Sequence, residues 1–280
     1  MVNNERINLV HQINQIREIT NKEWISNLEE RKLKELEFHN RDRDQNFLRE
    51  AKKTADTYEK FYGNKKYYKI TKRSTQYTEN WIQKNAKNKV FLDYACGNGL
   101  YARKAAGYGA KLSIGLDISD ISIKNAINTA SKLKIKNIEF FQADAENTKL
   151  PDNSIDTIIC SGMLHHLDLS FAFPELRRIL KPGGKILAIE ALDYNPLIKL
   201  YRFFTPEMRT EWEKAHILSL QDISFASRFF KVSSIKYWHI TEYVGAKIKF
   251  LKPILSRIDP LLENIPLVKL LAWIFTFELI

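Results

Sequence analysis

The chain has little cysteine and no long apolar run. Its 280 residues include two cysteines, Cys96 and Cys160, which are too few for a disulfide framework. Both stand at the ends of predicted strands, so we expect small buried thiols. No stretch approaches the roughly 18 consecutive apolar residues of a membrane-spanning helix. The first residues also lack the pattern of a signal peptide, and a cytoplasmic location is therefore expected.

The chain also has no internal repeat or low-complexity linker, and its charge is unbalanced. It carries 44 lysines and arginines against 33 acidic residues, which gives a net charge of +11. A protein with this charge could bind nucleic acid, anionic lipid or an acidic substrate. The basic residues are spread widely rather than gathered in one tail, which makes nucleic acid an unlikely partner. A lysine-, asparagine- and isoleucine-rich composition explains the charge equally well.

The segment 90–100 is the most informative part of the chain. An apolar run reaches Asp93, and a loop containing Gly97 and Gly99 follows before a helical segment, 101–107. A strand, a tight loop and a helix in this order form the nucleotide-binding corner of a doubly wound sheet. Asp93 would repel a pyrophosphate at roughly 4–6 Å. A ligand with positive groups and no phosphate, such as S-adenosylmethionine, suits this corner better.

Four further apolar segments end at the same edge of the predicted sheet. They are 111–117, 138–143, 155–160 and 186–190. Asp117 follows Asp93 at the spacing at which a carboxylate meets the ribose hydroxyls of an adenosine ligand. Asp144 comes directly after the third segment, where it or its neighbouring backbone could meet the adenine amino group.

These segments carry a resemblance to a known family. The motifs LDYACGNG, GLDIS, QADAENTKLP, SIDTIICSGMLHHL and LKPGG occur in order over roughly residues 90–190. Together they resemble the class I S-adenosylmethionine-dependent methyltransferases, in particular the branch similar to ubiquinone- and menaquinone-biosynthesis enzymes. One departure is visible, because the family usually has glycine where Ala95 stands. Alanine is tolerable there if its φ angle is negative and costly if it is positive.

The resemblance implies an α/β protein with a doubly wound, seven-stranded, mostly parallel sheet of the Rossmann-like methyltransferase type. It also implies S-adenosylmethionine as cofactor and no metal. The expected cofactor-binding residues come from the motifs, and Tyr68 is added from the preceding aromatic cluster. They are Tyr68, Asp93, Ala95, Gly97, Gly99, Asp117, Ile118, Asp144, Ala145 and Cys160.

Residues 1–75 are predicted to form a helical N-terminal extension that caps the cofactor. The segment 58–68 is dense in tyrosine, and an aromatic face can attract the sulfonium cation. A dimerisation element, or a helix packed on the catalytic domain, is an equally good interpretation of the extension.

Residues 76–280 are predicted to form the methyltransferase domain, with a sixth strand at 229–239 and an antiparallel seventh at 272–279. The insertions 191–228 and 241–269 would then enclose the acceptor. Arg209 and His216 are candidate substrate-binding residues of the first insertion, since arginine binds carboxylate or phosphate groups. A surface helix is the alternative for these two residues.

The second insertion, 241–269, is predicted to be a basic amphipathic helix. Such a helix can lie on an anionic membrane. Packing on the sheet, or lining of the substrate site, is the alternative that we favour. The apolar face comprises Val244, Ile248, Leu251, Ile254, Leu255 and Ile258, and the basic residues are Lys247, Lys249, Lys252 and Arg257.

Methyl transfer is an in-line displacement, and most of its catalysis can come from proximity and orientation. An acceptor hydroxyl or amine still needs a base. His165 and His166 follow the fourth strand, and Glu190 ends the fifth, so these three are the candidate catalytic residues. One histidine could instead shape the wall of the cofactor site.

The predicted function is methyl transfer from S-adenosylmethionine to a small-molecule, sugar or lipid-like acceptor, with possible peripheral membrane contact. The chain has no Asn/Asp-Pro-Pro-Tyr/Phe sequence and no Pro-Cys pair, which are features of enzymes that modify adenine or glutamine amino groups and cytosine C5. An RNA-modifying methyltransferase and a non-catalytic binding protein of the same fold are the alternatives. The oligomeric state stays open.

Overall fold

A computed structural model describes residues 2–20, 22–246 and 248–280, and it contains one seven-stranded sheet with the strand order β3-β2-β1-β4-β5-β7-β6. Strands β1 to β5 are parallel, and β7 is antiparallel to both β5 and β6. The predicted fold class is therefore confirmed. The strands are β1 Val90–Tyr94, β2 Leu112–Asp117, β3 Ile138–Gln142, β4 Ile155–Ser161, β5 Leu180–Ala191, β6 Val232–Trp238 and β7 Ile274–Leu279.

Helices occupy the N-terminal region, both faces of the sheet and the two late insertions. The N-terminal helices are α1 Val2–Ile19, α2 Lys22–Ser26, α3 Glu30–Arg43, α4 Gln45–Ala51, α5 Ala55–Tyr62, α6 Lys65–Tyr68 and α7 Lys72–Ala86. Those that follow are α8 Leu100–Gly107, α9 Asp120–Lys132, α10 Leu169–Ile179, α11 Pro196–Phe203, α12 Glu211–Ala215, α13 Leu220–Ala226 and α14 Lys252–Leu262. Short 3₁₀ turns span Leu164–His166, Pro206–Met208, Glu242–Ala246, Lys249–Leu251 and Val268–Leu271.

The sheet is buried on both faces because successive side chains of each strand point to opposite sides. In β1, Leu92 joins the larger core cluster, whereas Phe91 packs with Trp81 and Ile82 of α7 on the opposite face. Helix α1 contributes Ile13 to the larger cluster. The N-terminal region is thus part of the main core as well as a neighbour of the site.

The fifth apolar segment was predicted at 186–190, but β5 begins earlier, at Leu180, and includes Lys181-Pro182-Gly183-Gly184. Gly183 has φ +74, and the pairing of β5 with β4 shifts in register here, so the glycine allows an irregularity within the strand.

The insertion 241–269 is not one continuous helix. It consists of two 3₁₀ turns, α14, and a third 3₁₀ turn that begins at Val268. Pro253 stands at the start of α14, where a missing N–H costs nothing. Lys247 lies outside the described residues. None of the helices formed by the described residues has the length and apolar content needed to cross a bilayer.

Candidate functional site

A cavity of about 330 Å³ lies at the carboxyl ends of β1, β2 and β4, which is the edge where ligands bind in open α/β sheets. Seven of the predicted cofactor residues line it, and the end of β4 with the following loop adds five more. The predicted residues are Asp93, Ala95, Gly97, Asp117, Ile118, Asp144 and Ala145, and those added are Ser161, Gly162, Met163, His166 and Leu167.

Asp93 fixes the start of the helix that follows the loop. Its carboxylate is buried and accepts a hydrogen bond of 2.9 Å from the backbone N–H of Ala102 in α8. Burial raises the pKa of Asp93 to about 7. A buried acid that ionises near neutrality is well suited to a cationic ligand, because a nearby positive charge favours the charged form.

Asp117 connects the first two loops of the site. Its two carboxylate oxygens accept hydrogen bonds from the N–H groups of Gly97 at 2.7 Å and Ser119 at 2.8 Å. Burial raises the pKa of Asp117 above its ordinary value. The backbone bonds hold this carboxylate in one orientation at the cavity wall.

The loop after β1 requires left-handed backbone at several positions. Gly99 has φ +71, and a Cβ added there would lie 2.5 Å from the ring of Phe140, so no larger residue fits. Ala95 has φ +54. Ala95, where this chain departs from the family pattern, therefore has a strained backbone. A side chain in this conformation lowers stability by about 1–2 kcal/mol relative to glycine.

Helix α3 covers this cavity. Lys32 Nζ lies 2.8 Å from Asp144 Oδ2 and 2.9 Å from Glu146 Oε2. Arg31 Nη2 donates to both carboxylate oxygens of Glu146 at 2.7 Å. Arg43, at the end of the helix, lies beside Gly97. The cover therefore comes from α3 rather than from the tyrosines of 58–68.

The sequence did contain a signal for this cover. Arg31, Glu35, His39 and Arg43 are spaced four residues apart, which places polar side chains along one face of a helix. All four line the first cavity. The tyrosines of 58–68 are the more obvious candidates in the sequence, because an aromatic face can attract a sulfonium.

Three predicted cofactor residues do not line the first cavity. Gly99 stands between the lining residues Asn98 and Leu100 in the chain and approaches the ring of Phe140. Tyr68 lines a second cavity, and its ring centroid is 5.4 Å from that of Trp273. Cys160 is fully buried in the larger core cluster, where burial raises the pKa of its thiol well above the ordinary value. Cys160 lies in β4, so its side chain points into the sheet layer, and the next residues, Ser161 and Gly162, reach the cavity.

Two more cavities continue from the first. The second has a volume of about 490 Å³ and shares His39, Ser161 and His166 with the first. The third has a volume of about 340 Å³ and shares His165 and Trp273 with the second. The cavities therefore form a continuous series along the edge of the sheet.

His165 lies between the second and third cavities. Its Nδ1 is 2.6 Å from Glu190 Oε2, and Glu190 Oε1 accepts hydrogen bonds of 2.9 Å from the N–H groups of Met163 and Leu164. Glu190 thus orients the imidazole and the loop that carries it. Because Nδ1 pairs with Glu190, Nε2 is the ring nitrogen of His165 that could take a proton from an acceptor.

His166 pairs with the N-terminal region. Its Nδ1 lies 2.9 Å from Glu35 Oε2 in α3. Burial opposes its charge, but the hydrogen bond to Glu35 and the surrounding carboxylates raise the pKa of His166. Burial and the neighbouring His166 lower the pKa of His39 well below its ordinary value.

Three groups of described residues have ligand atoms close enough to hold a metal ion. Glu35, His39 and His166 form one, and His165, His166 and Glu213 form another that shares His166. The third comprises His239, Glu242 and Asp259. Arg73 lies 3.5 Å from Glu242 and 3.8 Å from Asp259, so this third group is already neutralised by a guanidinium.

The two predicted substrate residues have different surroundings. Arg209 lines the third cavity, where its Nη1 donates to the carbonyl oxygen of Thr205 at 2.9 Å. His216 is exposed, and its ring stacks on that of Trp212 with centroids 3.7 Å apart. The structure therefore brings Arg209 to a cavity and places His216 outside the lining of the three cavities described here.

The order of the strands, the acids at the ends of β1 and β2, and the glycine loop are features of the class I S-adenosylmethionine-dependent methyltransferase fold. Residues 92–188 match the family described as "Methyltransferase domain". The resemblance predicted from the sequence motifs is thereby confirmed.

Curated relatives match this region. A ubiquinone/menaquinone biosynthesis C-methyltransferase from Psychromonas ingrahamii is 35% identical over 125 residues, which are 42% of this chain and 50% of the relative. An uncharacterised methyltransferase, YcgJ, from Bacillus subtilis is 27% identical over 169 residues, 59% of this chain and 65% of the relative. The chain thus spans about half to two thirds of the length of these relatives.

Solved structures share the fold at low identity. A geranyl diphosphate C-methyltransferase from Streptomyces coelicolor has a TM-score of 0.54 and 13% identity, over 74% of this chain and 79% of that chain. The MccD protein has a TM-score of 0.51 and 19% identity, over 74% of this chain and 96% of that chain.

Proposed function

We propose that this protein transfers a methyl group from S-adenosylmethionine, bound in the first cavity, to a small apolar acceptor with a polar or anionic head in the second and third. The observation that carries the proposal is the continuous series of three cavities, with the His165–Glu190 pair between the second and third. The names of the relatives, which are C-methyltransferases of quinone biosynthesis, support an acceptor of this kind.

The residues of the first cavity fit the proposed donor. Asp93, Asp117 and Asp144 supply negative charge to a ligand with an ammonium and a sulfonium group. Asp117 would meet the ribose hydroxyls, and Asp144 with Ala145 would meet the adenine. When bound, S-adenosylmethionine supplies the activated methyl group, and the protein holds the acceptor in line with it.

The third cavity fits the proposed acceptor. Leu197, Ile198, Val244 and Ile248 provide apolar walls, to which several tyrosines are added. Arg202 and Arg209 supply positive charge, and burial lowers the pKa of Arg202 to about 10. Apolar walls with a few placed charges are the usual composition of a ligand site.

His165 is the base that we propose for an acceptor with an acidic proton. It faces both the second and third cavities, and Glu190 stabilises the imidazolium that proton transfer would form. Glu190 is a positioning residue in this scheme, because it acts through His165.

The surface around the third cavity supports contact with a membrane. The exposed large apolar residues of α11 and its end are Leu197, Leu200, Phe203 and Phe204, and those of the second insertion include Phe250, Ile254, Ile258 and Leu261. Exposed apolar residues beside a ligand cavity are typical of a protein that takes its substrate from a lipid phase or a partner.

The experiment is incubation of the protein with S-adenosylmethionine labelled in the methyl group and with separated lipid, RNA and polar extracts of cells. We expect label in the lipid fraction, and less of it with His165→Ala than with the control variant His11→Ala, which changes an exposed histidine of α1. Label in RNA would support the alternative function, and transfer to no fraction would contradict the proposal.

A further inference from the structure

The N-terminal helix α3 and the loop after β4 bring three metal-ligating side chains together at the junction of the first two cavities. Glu35 and His39 are one helical turn apart in α3, so they share a face. His166 reaches them from the 3₁₀ turn after β4. One ligand atom from each residue lies within 4.8 Å of the others.

The distance between Glu35 and His39 matches that between ligands on one metal ion. Glu35 Oε2 is 2.9 Å from His166 Nδ1 and 3.6 Å from His39 Nε2. Nitrogen and oxygen ligands at about 2.0–2.2 Å from a tetrahedral metal ion lie roughly 3.3 to 3.6 Å apart. The separation from His39 falls in this range, and the shorter one to His166 is a hydrogen bond that a metal ion would replace. The separation from His39 is too long for a hydrogen bond, so the Glu35 carboxylate does not account for the direction of His39 Nε2.

Groups of both charges surround the three residues, and Arg31 and Arg43 line the first cavity beside them. Glu35 is paired with histidines rather than with a lysine or arginine among the described residues. Glu190 and Glu213 add negative charge nearby, of which Arg209 offsets part at 3.5 Å from Glu213.

A threonine hydroxyl holds the carboxylate of Glu35 in place. The hydroxyl of Thr210, which lines neither of the first two cavities, donates to Glu35 Oε1. This bond leaves Oε2 as the oxygen that faces both imidazoles. Partners of this kind orient metal ligands and strengthen binding.

We propose that Glu35, His39 and His166 bind a divalent transition-metal ion of the zinc class. Two imidazoles and one carboxylate are a suitable donor set for such ions. The remaining coordination positions would face the cavities, where an oxygen of the acceptor could occupy one. This last role depends on the proposed methyl transfer, whereas metal binding itself does not.

The test is a binding measurement with zinc alone. The full-length protein is stripped with a chelator, dialysed against Zn²⁺ and analysed for bound metal by mass spectrometry, and titration calorimetry gives the affinity. We expect one zinc ion per chain. His39→Ala and Glu35→Gln should each weaken binding by more than about tenfold, since even residues outside the ligand set contribute that much.

His216→Ala is the matched control, because His216 is exposed and stacks on Trp212. It should bind zinc as the unchanged protein does. Circular dichroism checks that each variant is folded, and the visible spectrum of bound Co²⁺ reports ligand loss if a variant is too unstable for calorimetry.

Two results would overturn the proposal. One is absence of tightly bound zinc in the stripped and reloaded protein. The other is normal binding by His39→Ala together with loss in His165→Ala, which would place the ion at His165, His166 and Glu213. Neither result bears on methyl transfer, because donor and acceptor are absent from the measurement.

Discussion

At the scale of single residues, Asp93 gives the donor site a pH dependence. Burial raises the pKa of this carboxyl to about 7, and a cationic ligand prefers its ionised form. Below that pH, binding must first remove a proton, so the affinity for S-adenosylmethionine should fall by up to about tenfold per pH unit. Above it, the contribution of Asp93 is constant.

Calorimetry of donor binding between about pH 5.5 and 8 measures this effect. Asp93→Asn cannot ionise, so this variant should bind more weakly near neutral pH and show a flatter profile below about pH 7. An affinity of the unchanged protein that does not vary across this range would contradict the assignment.

Ala95 offers a test of backbone strain. With φ +54, the residue occupies a conformation that favours glycine, and Ala95→Gly should raise the free energy of unfolding by about 1 kcal/mol. Urea denaturation measures the change. The control, Ala106→Gly in α8, replaces alanine within a helix and should lower stability by about 0.5–1 kcal/mol. A loss of stability in Ala95→Gly would show that the loop adapts to the methyl group.

His165 should contribute to the chemical step rather than to donor binding. It lines the second and third cavities but not the first. His165→Ala is therefore expected to reduce kcat by about a hundredfold or more, as removal of a general base does, with calorimetric donor affinity within about twofold of the original. Unchanged kcat on the identified acceptor would remove His165 from the mechanism.

At the scale of secondary-structure elements, α3 should behave as a cover held by ion pairs. Arg31 and Glu146 are both largely buried, and removing one partner leaves the other charge unpaired at a considerable cost. Arg31→Ala should therefore speed hydrogen exchange in residues 30–43, with little change in the exchange of β1 and β2. It should also speed dissociation of the donor.

Lys34→Ala is the control on the same helix. The ion pair that Lys34 forms with Glu30 is exposed, and such pairs contribute little to stability. Exchange mass spectrometry compares the two variants. If both left exchange in α3 unchanged, the Arg31–Glu146 pair would not hold the helix closed.

The elements of the sheet were predictable from the sequence, whereas the contribution of α3 was not. Strand β1 is a run of buried residues ended by Asp93 and a glycine loop, so local pattern determines both its position and its role. The contacts of Lys32 with Asp144 and of Glu35 with His166 join residues more than a hundred positions apart. A local pattern can show that such a helix is amphipathic, but not which loop its polar face will meet.

The same limit applies to Tyr68, which lines the second cavity and not the first. An aromatic cluster before the first strand predicts packing, but its partner depends on tertiary structure, and here the partner is Trp273 at the start of the last strand. Cys160 is a smaller case, because its side chain is buried in the larger core cluster and the next residue, Ser161, lines the cavity.

At the scale of the whole molecule, the second insertion presents exposed apolar residues together with the exposed Arg257. Phe250, Ile254 and Leu261 are 77%, 54% and 69% exposed. The acids nearby point inward, since Asp259 accepts a hydrogen bond from the N–H of Thr241 at 2.9 Å and Glu263 binds Arg73 at 2.7 Å. Apolar side chains without facing acids suit an anionic membrane.

Vesicle flotation tests this surface. The full-length protein should bind vesicles that contain phosphatidylserine at low salt and release as salt screens the attraction. Replacing Phe250, Ile254 and Leu261 with serine should abolish flotation, whereas serine at the exposed residues Ile127, Leu133 and Phe171 should not, because those lie on α9, its end and α10. Equal flotation of both variants would contradict membrane docking through this surface. A dimer that the first variant alone dissociates, seen by light scattering, would instead show that the surface binds a second copy of the chain.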